Sequence, residues 1–283
     1  LPDKRKLQGV NCVFSGNIPI GGGLSSSAAM TTGFASLVNH LFNMGLSKME
    51  IVKLSQKAEH EFAGVKCGIM DQFAVVLGKE NHAIRLDCRT LEYEHFPLGF
   101  PGYQLVLCDT KVKHSLASSE YNNRRQECEK GVAILQELEK EIISLRDATP
   151  VMMDKYQNQF PEIIFKRCAY IVDENARVLK AGDLLRKNDI ENFGELMYKT
   201  HDGLSNEYEV SCVELDTLVE FARNSGYVVG ARMMGGGFGG CTLNLVKTNR
   251  FDDFVNGCKQ VFKTEYGKEP GFYQVNISEG VSV

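Results

Sequence analysis

PIGGGLSSSAA, residues 19–29, decides how the chain is read: a short apolar stretch gives way to glycines, three hydroxyls and the start of an apolar helix. Gly21, Gly22 and Gly23 let the backbone take up positive φ and come close to a ligand with no Cβ in the way. Leu24 follows, then Ser25, Ser26 and Ser27, which suit an N-cap and a first turn, and Ala28, Ala29 and Met30 propagate the helix. The four orphan N–H donors of that helix therefore lie at the loop. Such a terminus carries about +0.5 charge and suits an anion, phosphate above all. Read alone, the stretch is either a Gly/Ser turn leading into a capped helix or a phosphate loop. No Lys follows the glycines and no GxGxxG is present, so it is neither a Walker A loop nor a dinucleotide fingerprint. Positive charge facing a phosphate has to come from the helix end, from a metal or from elsewhere.

The chain of 283 residues, 43% hydrophobic, is long enough for a substantial core and for two lobes. A net charge of −4 gives no sign of a nucleic-acid or acidic-membrane partner. No run of 18 apolar residues occurs, and the N-terminus is polar and basic without an apolar signal region, so a cytoplasmic protein is expected. Nine cysteines, an odd number scattered without a CxxC pair, read as reduced thiols and not as a disulfide or zinc framework. The chain opens on Leu1 with no initiator Met, which suggests that a longer protein was cut or cropped.

Working outward, Val10, Cys12 and Phe14 alternate with Asn11, Val13 and Ser15, a strand pattern that would deliver the chain to the glycine loop. Residues 26–43 show an apolar helical face of Ala29, Met30, Phe34, Leu37, Val38 and Leu41, stopped by Gly45. Ser47 with Glu50 is a capping box opening a second helix to about Ala63, and a short apolar helix runs from Ile69 to Leu77. One strand cannot satisfy its own backbone, so partner strands are expected, upstream of residue 1 or folding back. After Gly78 the texture changes and marks a second lobe, giving the division 1–78 and 79–283. Strands are expected at 82–87, 93–98 and 103–109, and helices at 117–143, 150–158, 161–187, 189–204 and 212–224, the last opened by Ser211 with Glu214 as a second capping box. The end reads as strand 227–233, the glycine run 235–240, strand 241–246, a helix over about 250–266 and strand 272–277. That order is an α+β, ferredoxin-like lobe carrying inserted helices.

Asp71 opens the 69–77 helix, where a carboxylate is stabilised by the dipole; it is either a helix-start residue or a base that accepts a proton from a substrate hydroxyl. Glu59 is either solvated surface or, with Ser27, a ligand for Mg²⁺, an ion that takes one or two protein oxygens besides phosphate and water. His60 beside it reads as structural. Residues 118–125 read as a capped, charged first turn, in which Tyr121 can also offer its hydroxyl to a polyol. Five glycines around Phe238 exceed what a hairpin needs, so the 235–240 run is either a tight connection or a place of close backbone approach to the first loop.

GGGLSSSAA at 21–29, AEHEFAGVKCGIMDQF at 58–73, CDTKVKHSLASSEYNNRRQEC at 108–128 and GARMMGGGFGGCTLNLV at 230–246 together resemble the galactokinases of the GHMP small-molecule kinase family, in order and over nearly the whole chain. The resemblance implies a two-lobed GHMP kinase fold and ATP-dependent phosphorylation of the C1 hydroxyl of galactose by a cytoplasmic enzyme, a monomer being the expected state. It implies that residues 21–27 hold ATP, that Ser27 and Glu59 hold Mg²⁺, that Asp71 is the catalytic base, and that Gly68, Asp71 and Tyr121 contact the sugar. Galactokinases also carry an N-terminal GRVNLIGEHTDY-like motif with a catalytic arginine, and this chain has none of it. The expectation is therefore a truncated first lobe and little turnover by the 283 residues alone. Two alternatives stand beside this reading: another GHMP kinase, acting on an N-acetylated hexosamine, homoserine or mevalonate, and a non-catalytic sugar- and ATP-binding sensor on the same fold.

Overall fold

The computed structural model describes residues 7–18, 23–64, 67–112 and 117–283, with side chains described from residue 120 onward in the last segment. These divide into two compact units, Leu1–Gly99 with Asn276–Val283, and Phe100–Val275.

The first unit is built on three helices, α1 (Ser26–Leu41), α2 (Lys48–Phe62) and α3 (Met70–Leu77), followed by the antiparallel hairpin β1 (His82–Leu86) and β2 (Tyr93–Pro97). Ile51 and Val52 of α2 and Phe73 and Val76 of α3 are its buried centre, and Ile84, Leu86 and Val281 pack on them. The hairpin and the last residues close this core, so the first compact unit runs on to Gly99 and takes in residues 276–283. The returning tail is tied by Gly280 N–H to Gly78 O and by Val281 N–H to Val75 O, at 2.9 and 2.8 Å. A Cβ on Gly280 would stand 2.6 Å from Val76 O, so the two backbones meet only through glycine.

Two expectations fail here. Residues 7–18 hold no helix or strand, and Val13 lies 97% exposed: alternation alone makes no strand where no ladder partner is present among the described residues. In α1 the buried positions are Ala28, Thr32 and Ser36, while Met30, Phe34 and Leu41 are exposed. Small residues at this four-residue spacing let a helix pack closely. Their hydroxyls are satisfied within the helix, Thr32 Oγ1 donating to Ala28 O at 2.6 Å and Ser36 Oγ to Thr32 O at 2.8 Å.

The second unit is a four-stranded antiparallel sheet in the order β4-β5-β3-β6, formed by β3 (Tyr103–Asp109), β4 (Val228–Met233), β5 (Cys241–Lys247) and β6 (Gly271–Val275). With α8 (Val213–Asn224) before β4 and α9 (Phe251–Tyr266) before β6, this is the ferredoxin-like arrangement expected, a split βαβ in which β5 lies between β3 and β4. Val106, Val228 and Val246 of the sheet bury against Leu218 and Val219 of α8 and Phe254 and Phe262 of α9. The inserted helices are α4 (Ala117–Leu138), α5 (Pro150–Tyr156), α6 (Glu162–Arg186) and α7 (Ile190–Asn206). A separate core of Leu135, Met153, Ile164 and Cys168 joins α4, α5 and α6. Helix α4 stops at Leu138, short of 143, and the Asp147 carboxylate instead accepts from Ile143 N–H and Ser144 N–H in the turn that follows. The box at Ser47 and Glu50 forms as read, but α8 starts at an N-cap Cys212 with no side-chain cap, because Ser211 gives its hydroxyl to Asp216 at 2.5 Å.

Candidate active site

At the glycine loop, Gly21 and Gly22 lie outside the described residues; Gly23 has φ +72° and Ser25, the N-cap of α1, has φ 53°, both left-handed. That conformation turns the Ser25 side chain away from capping, so the expected serine cap is not made, and the N-terminus of α1 carries no side-chain cap bond. Ser27 turns toward α2 instead. Its hydroxyl donates to Glu59 at 2.8 Å to Oε1 and 3.1 Å to Oε2, and Thr31 Oγ1 stands 3.5 Å from Oε1. Glu59 is only 6% exposed, and among the described residues it forms no ion pair. A buried carboxylate held by hydroxyls alone is an electrostatic demand for a cation.

Asp71 stands exposed in the first turn of α3, and the turn in front of it is held by a knot at Cys67 that the sequence did not disclose. Gln56 Nε2 and His60 Nε2 both donate to the Cys67 carbonyl, at 3.2 and 2.8 Å, and Gln72 Nε2 reaches its sulfur at 3.6 Å. Since a carbonyl can only accept, His60 carries a proton on Nε2, and its structural role is bracing α2 against the loop that bears Gly68. Burial pushes the Cys67 thiol up, the hydrogen bond from Gln72 opposes this, and the charges of Glu59 and Asp71 add to the rise. Gly68 is exposed with open space around it.

In the second unit Tyr121 is 44% exposed on α4, and a Cβ on Gly236 would lie 3.7 Å from its ring. The glycine run is a place of close backbone approach, and the segments it approaches within this unit are those at Val210 and Val112. A Cβ on Gly237 (φ +87°) would stand 2.0 Å from Val210 O, and one on Gly239 (φ +133°) 2.7 Å from Val112 O. Phe238 N–H donates to Val210 O at 2.7 Å. Sequence reasoning missed what holds that neighbour. Arg124 donates to Tyr208 O and Glu209 O at 2.6 and 3.2 Å, and Arg167, 1% exposed, pairs with Glu209 at 2.6 Å and Glu127 at 3.4 Å and donates to Glu207 O. Only the polar context of residue 167 on an otherwise apolar helix face could have flagged it. The run is entered from Met233, whose N–H donates to buried His201 Nδ1 at 3.1 Å, while His201 Nε2 stands 3.2 Å from Asp216.

Comparison with known proteins supplies what geometry does not. The model of the GHMP kinases N terminal domain matches residues 1–79 and that of the GHMP kinases C terminal domain residues 183–263. A galactokinase of Clostridium beijerinckii is 46% identical over 273 residues, 96% of this chain and 70% of that protein. The crystal structure of Lactococcus lactis galactokinase complexed with galactose superposes with a TM-score of 0.90 at 36% identity, over 94% of this chain and 68% of that one. L. major mevalonate kinase in complex with R-mevalonate gives 0.58 at 18% identity, over 91% of this chain and 66% of that one, and shares the fold alone. The two matched domains and an identity of this size to galactokinases, against a fold-level likeness to a mevalonate kinase, place the chain in the GHMP kinase family, among the galactokinases.

Proposed function

We propose that the protein transfers the γ-phosphoryl group of ATP to the C1 hydroxyl of galactose, giving galactose 1-phosphate and ADP. The observation that carries the reading is the Ser27–Glu59 pair at the start of α1. It joins an uncapped helix N-terminus, suited to phosphate, with a buried carboxylate that calls for a cation. The donors are hard oxygens, and no group of three His, Cys, Asp or Glu that could cage a metal occurs among the described residues. That set fits Mg²⁺, which keeps water and phosphate ligands, and does not fit zinc. Ser27 and Glu59 would hold the ion, whose chemistry is to neutralise charge on the β- and γ-phosphate oxygens.

The remaining work falls to this chain's own groups. The α1 terminus, with Gly21, Gly22, Gly23, Leu24, Ser25 and Ser26 before it, binds the phosphates. Asp71 accepts the hydrogen bond of the C1 hydroxyl and takes its proton. A carboxylate with a reference pKa near about 3.9 cannot ionise an alcohol beforehand. In a loose transition state it need not: the proton leaves late and Asp71 mainly aims the oxygen. Gly68, open and next to the knot at Cys67, and Tyr121 contact the sugar.

Among the described residues no helix is long and apolar enough to cross a membrane, and none of the nine cysteines is in a disulfide, in keeping with the cytoplasmic enzyme that we propose. We take it to act as a monomer. ADP release by the protein with galactose, N-acetylgalactosamine, homoserine and mevalonate as acceptors tests the assignment. Release by the 283 residues is expected to be low and greatest with galactose; release with another acceptor and not with galactose overturns the substrate, and saturable binding of ATP and galactose with no release at all overturns the kinase.

A further inference from the structure

Helices α4 and α6 approach each other around two cysteines. Gly131 of α4 exists for this approach, since a Cβ there would stand 2.1 Å from Cys168 Sγ. Cys128 lies one turn earlier on the same face of α4, half-buried, and its thiol is hydrogen-bonded to that of Cys168, which is fully buried on α6. The Tyr208 hydroxyl stands 3.6 Å from Cys128 Sγ. The site thus holds an approachable thiol backed by a second one that solvent cannot reach. The hydrogen bond from Cys168 chiefly, against burial, with help from the Tyr208 hydroxyl and the Arg167 guanidinium, holds the Cys128 thiol below its usual value, while the same bond and burial push the Cys168 thiol well up. The lowered thiol ionises more readily than its partner, and the thiolate is the form that attacks electrophiles. The contrast within the chain is sharp. Cys108 and Cys258 also touch, but both are wholly buried and burial pushes Cys108 well up; burial likewise raises Cys212 to about 11 and Cys241 to about 12.

We propose that Cys128 and Cys168 are a peroxide-modification site, at which Cys128 is oxidised by a hydroperoxide and Cys168 resolves it to a disulfide joining α4 to α6. The Cys128 sulfur attacks the peroxide O–O bond, which breaks; the leaving oxygen takes a proton as water or alcohol, and the sulfur, two electrons poorer, becomes a sulfenic acid. The Cys168 sulfur gives up its proton and attacks the Cys128 sulfur, the S–O bond breaks, and the departing hydroxide takes that proton as water. Two thiols and one hydroperoxide become one disulfide, one water and one alcohol, or a second water from hydrogen peroxide. The bond pins the α4 face that also carries Arg124 and Tyr121, four and seven residues before Cys128.

The test is a short exposure of the protein to hydrogen peroxide, capping with N-ethylmaleimide, and digestion without reductant, read by mass spectrometry. Expected is a peptide pair joined between Cys128 and Cys168, a protein mass lower by two hydrogens, and full reversal by dithiothreitol. In Cys168→Ala, Cys128 should stop at the sulfenic acid and be trapped by dimedone. Recovery of Cys128 as its maleimide adduct under conditions that oxidise exposed Cys12 would overturn the proposal, and so would Cys128 joined to any other cysteine. The native protein alone decides both, whether or not the variant folds.

Discussion

The hydroxyl of Ser27 spans the two oxygens of the Glu59 carboxylate at 2.8 and 3.1 Å, linking the first turn of α1 to the last turn of α2 across 32 residues. The bond leaves Glu59 buried with its negative charge unneutralised among the described residues, and a Mg²⁺–nucleotide complex would relieve it. In Glu59→Gln the amide can still accept from Ser27, so the helices stay docked while the charge is gone. The Mg²⁺ concentration at half-maximal activity should rise by about 10- to 100-fold. Titrating activity against free Mg²⁺ at saturating ATP measures this; an unchanged half-saturation point removes Glu59 from the metal site.

Asp71 stands exposed at the start of α3, with its supporting turn fastened through Cys67 and not through its own carboxylate. Asp71→Asn therefore keeps the fold and the nucleotide site. Turnover should fall by roughly 10²- to 10⁴-fold, the range of a positioned general base. Calorimetric binding of a non-hydrolysable ATP analogue, compared with kcat for galactose, separates the two. Equal loss of both would make Asp71 a structural residue.

Arg167 is the largest fully buried side chain, and its guanidinium faces Glu127 and Glu209 as well as a backbone carbonyl. Arg167→Met takes the buried cation from both carboxylates and leaves Glu127 with Arg124 alone and Glu209 with Lys166 alone. The cost should be about 3 kcal/mol, the low end for a broken buried pair because both carboxylates reach water. Glu209 is held below the usual carboxylate range, chiefly by its hydrogen bond from Arg167. Stability from this source is present above the unfolded carboxylate pKa, near about 4.3, and drains away as pH falls through the lower folded value. Urea melts from neutral pH into acid should show this acid loss in the native protein and a flatter acid limb in Arg167→Met.

What could be read from the sequence was what depends on neighbours in sequence. The box at Ser47 and Glu50 and the strand at 103–109 rest on local chemistry and formed as read. The Ser27–Glu59 pair was within reach because Mg²⁺ chemistry asks for oxygens from two elements, which turned a distant pairing into a requirement. The face of α1 was misjudged because apolar periodicity ranks Met30 and Phe34 above Ala28, Thr32 and Ser36, whereas close packing with α2 and α3 selects small side chains. The strand at 10–15 failed because alternation specifies a face and cannot supply a partner. Ser211 and Glu214 had cap spacing, but Asp216 offered Ser211 a charged acceptor, which outbids a backbone amide. The knot at Cys67 was out of reach, since it joins segments through side-chain bonds that leave no period in the sequence, and Arg167 showed only as a charge on an apolar helix face.

The second glycine run separates two kinds of glycine, and adjacent substitutions distinguish them. At Gly237, φ is +87° and a Cβ would sit 2.0 Å from Val210 O, a carbonyl already engaged by Phe238 N–H. Val210 cannot withdraw, because the segment before it is tied down by Arg124 and Arg167. Gly237→Ala must then bear the left-handed strain, about 1–3 kcal/mol, together with a backbone collision, and its melting midpoint should drop clearly. Gly236 has ordinary backbone and its Cβ would touch only the Tyr121 ring, at 3.7 Å. Gly236→Ala should stay within about 0.5 kcal/mol of the native stability. If Tyr121 meets the sugar, that methyl group crowds the ring and raises the KM for galactose while leaving the KM for ATP alone. Thermal melts with paired galactose and ATP saturation curves check both variants. A Gly236→Ala protein with native stability and a native KM for galactose would take Tyr121 out of the sugar site.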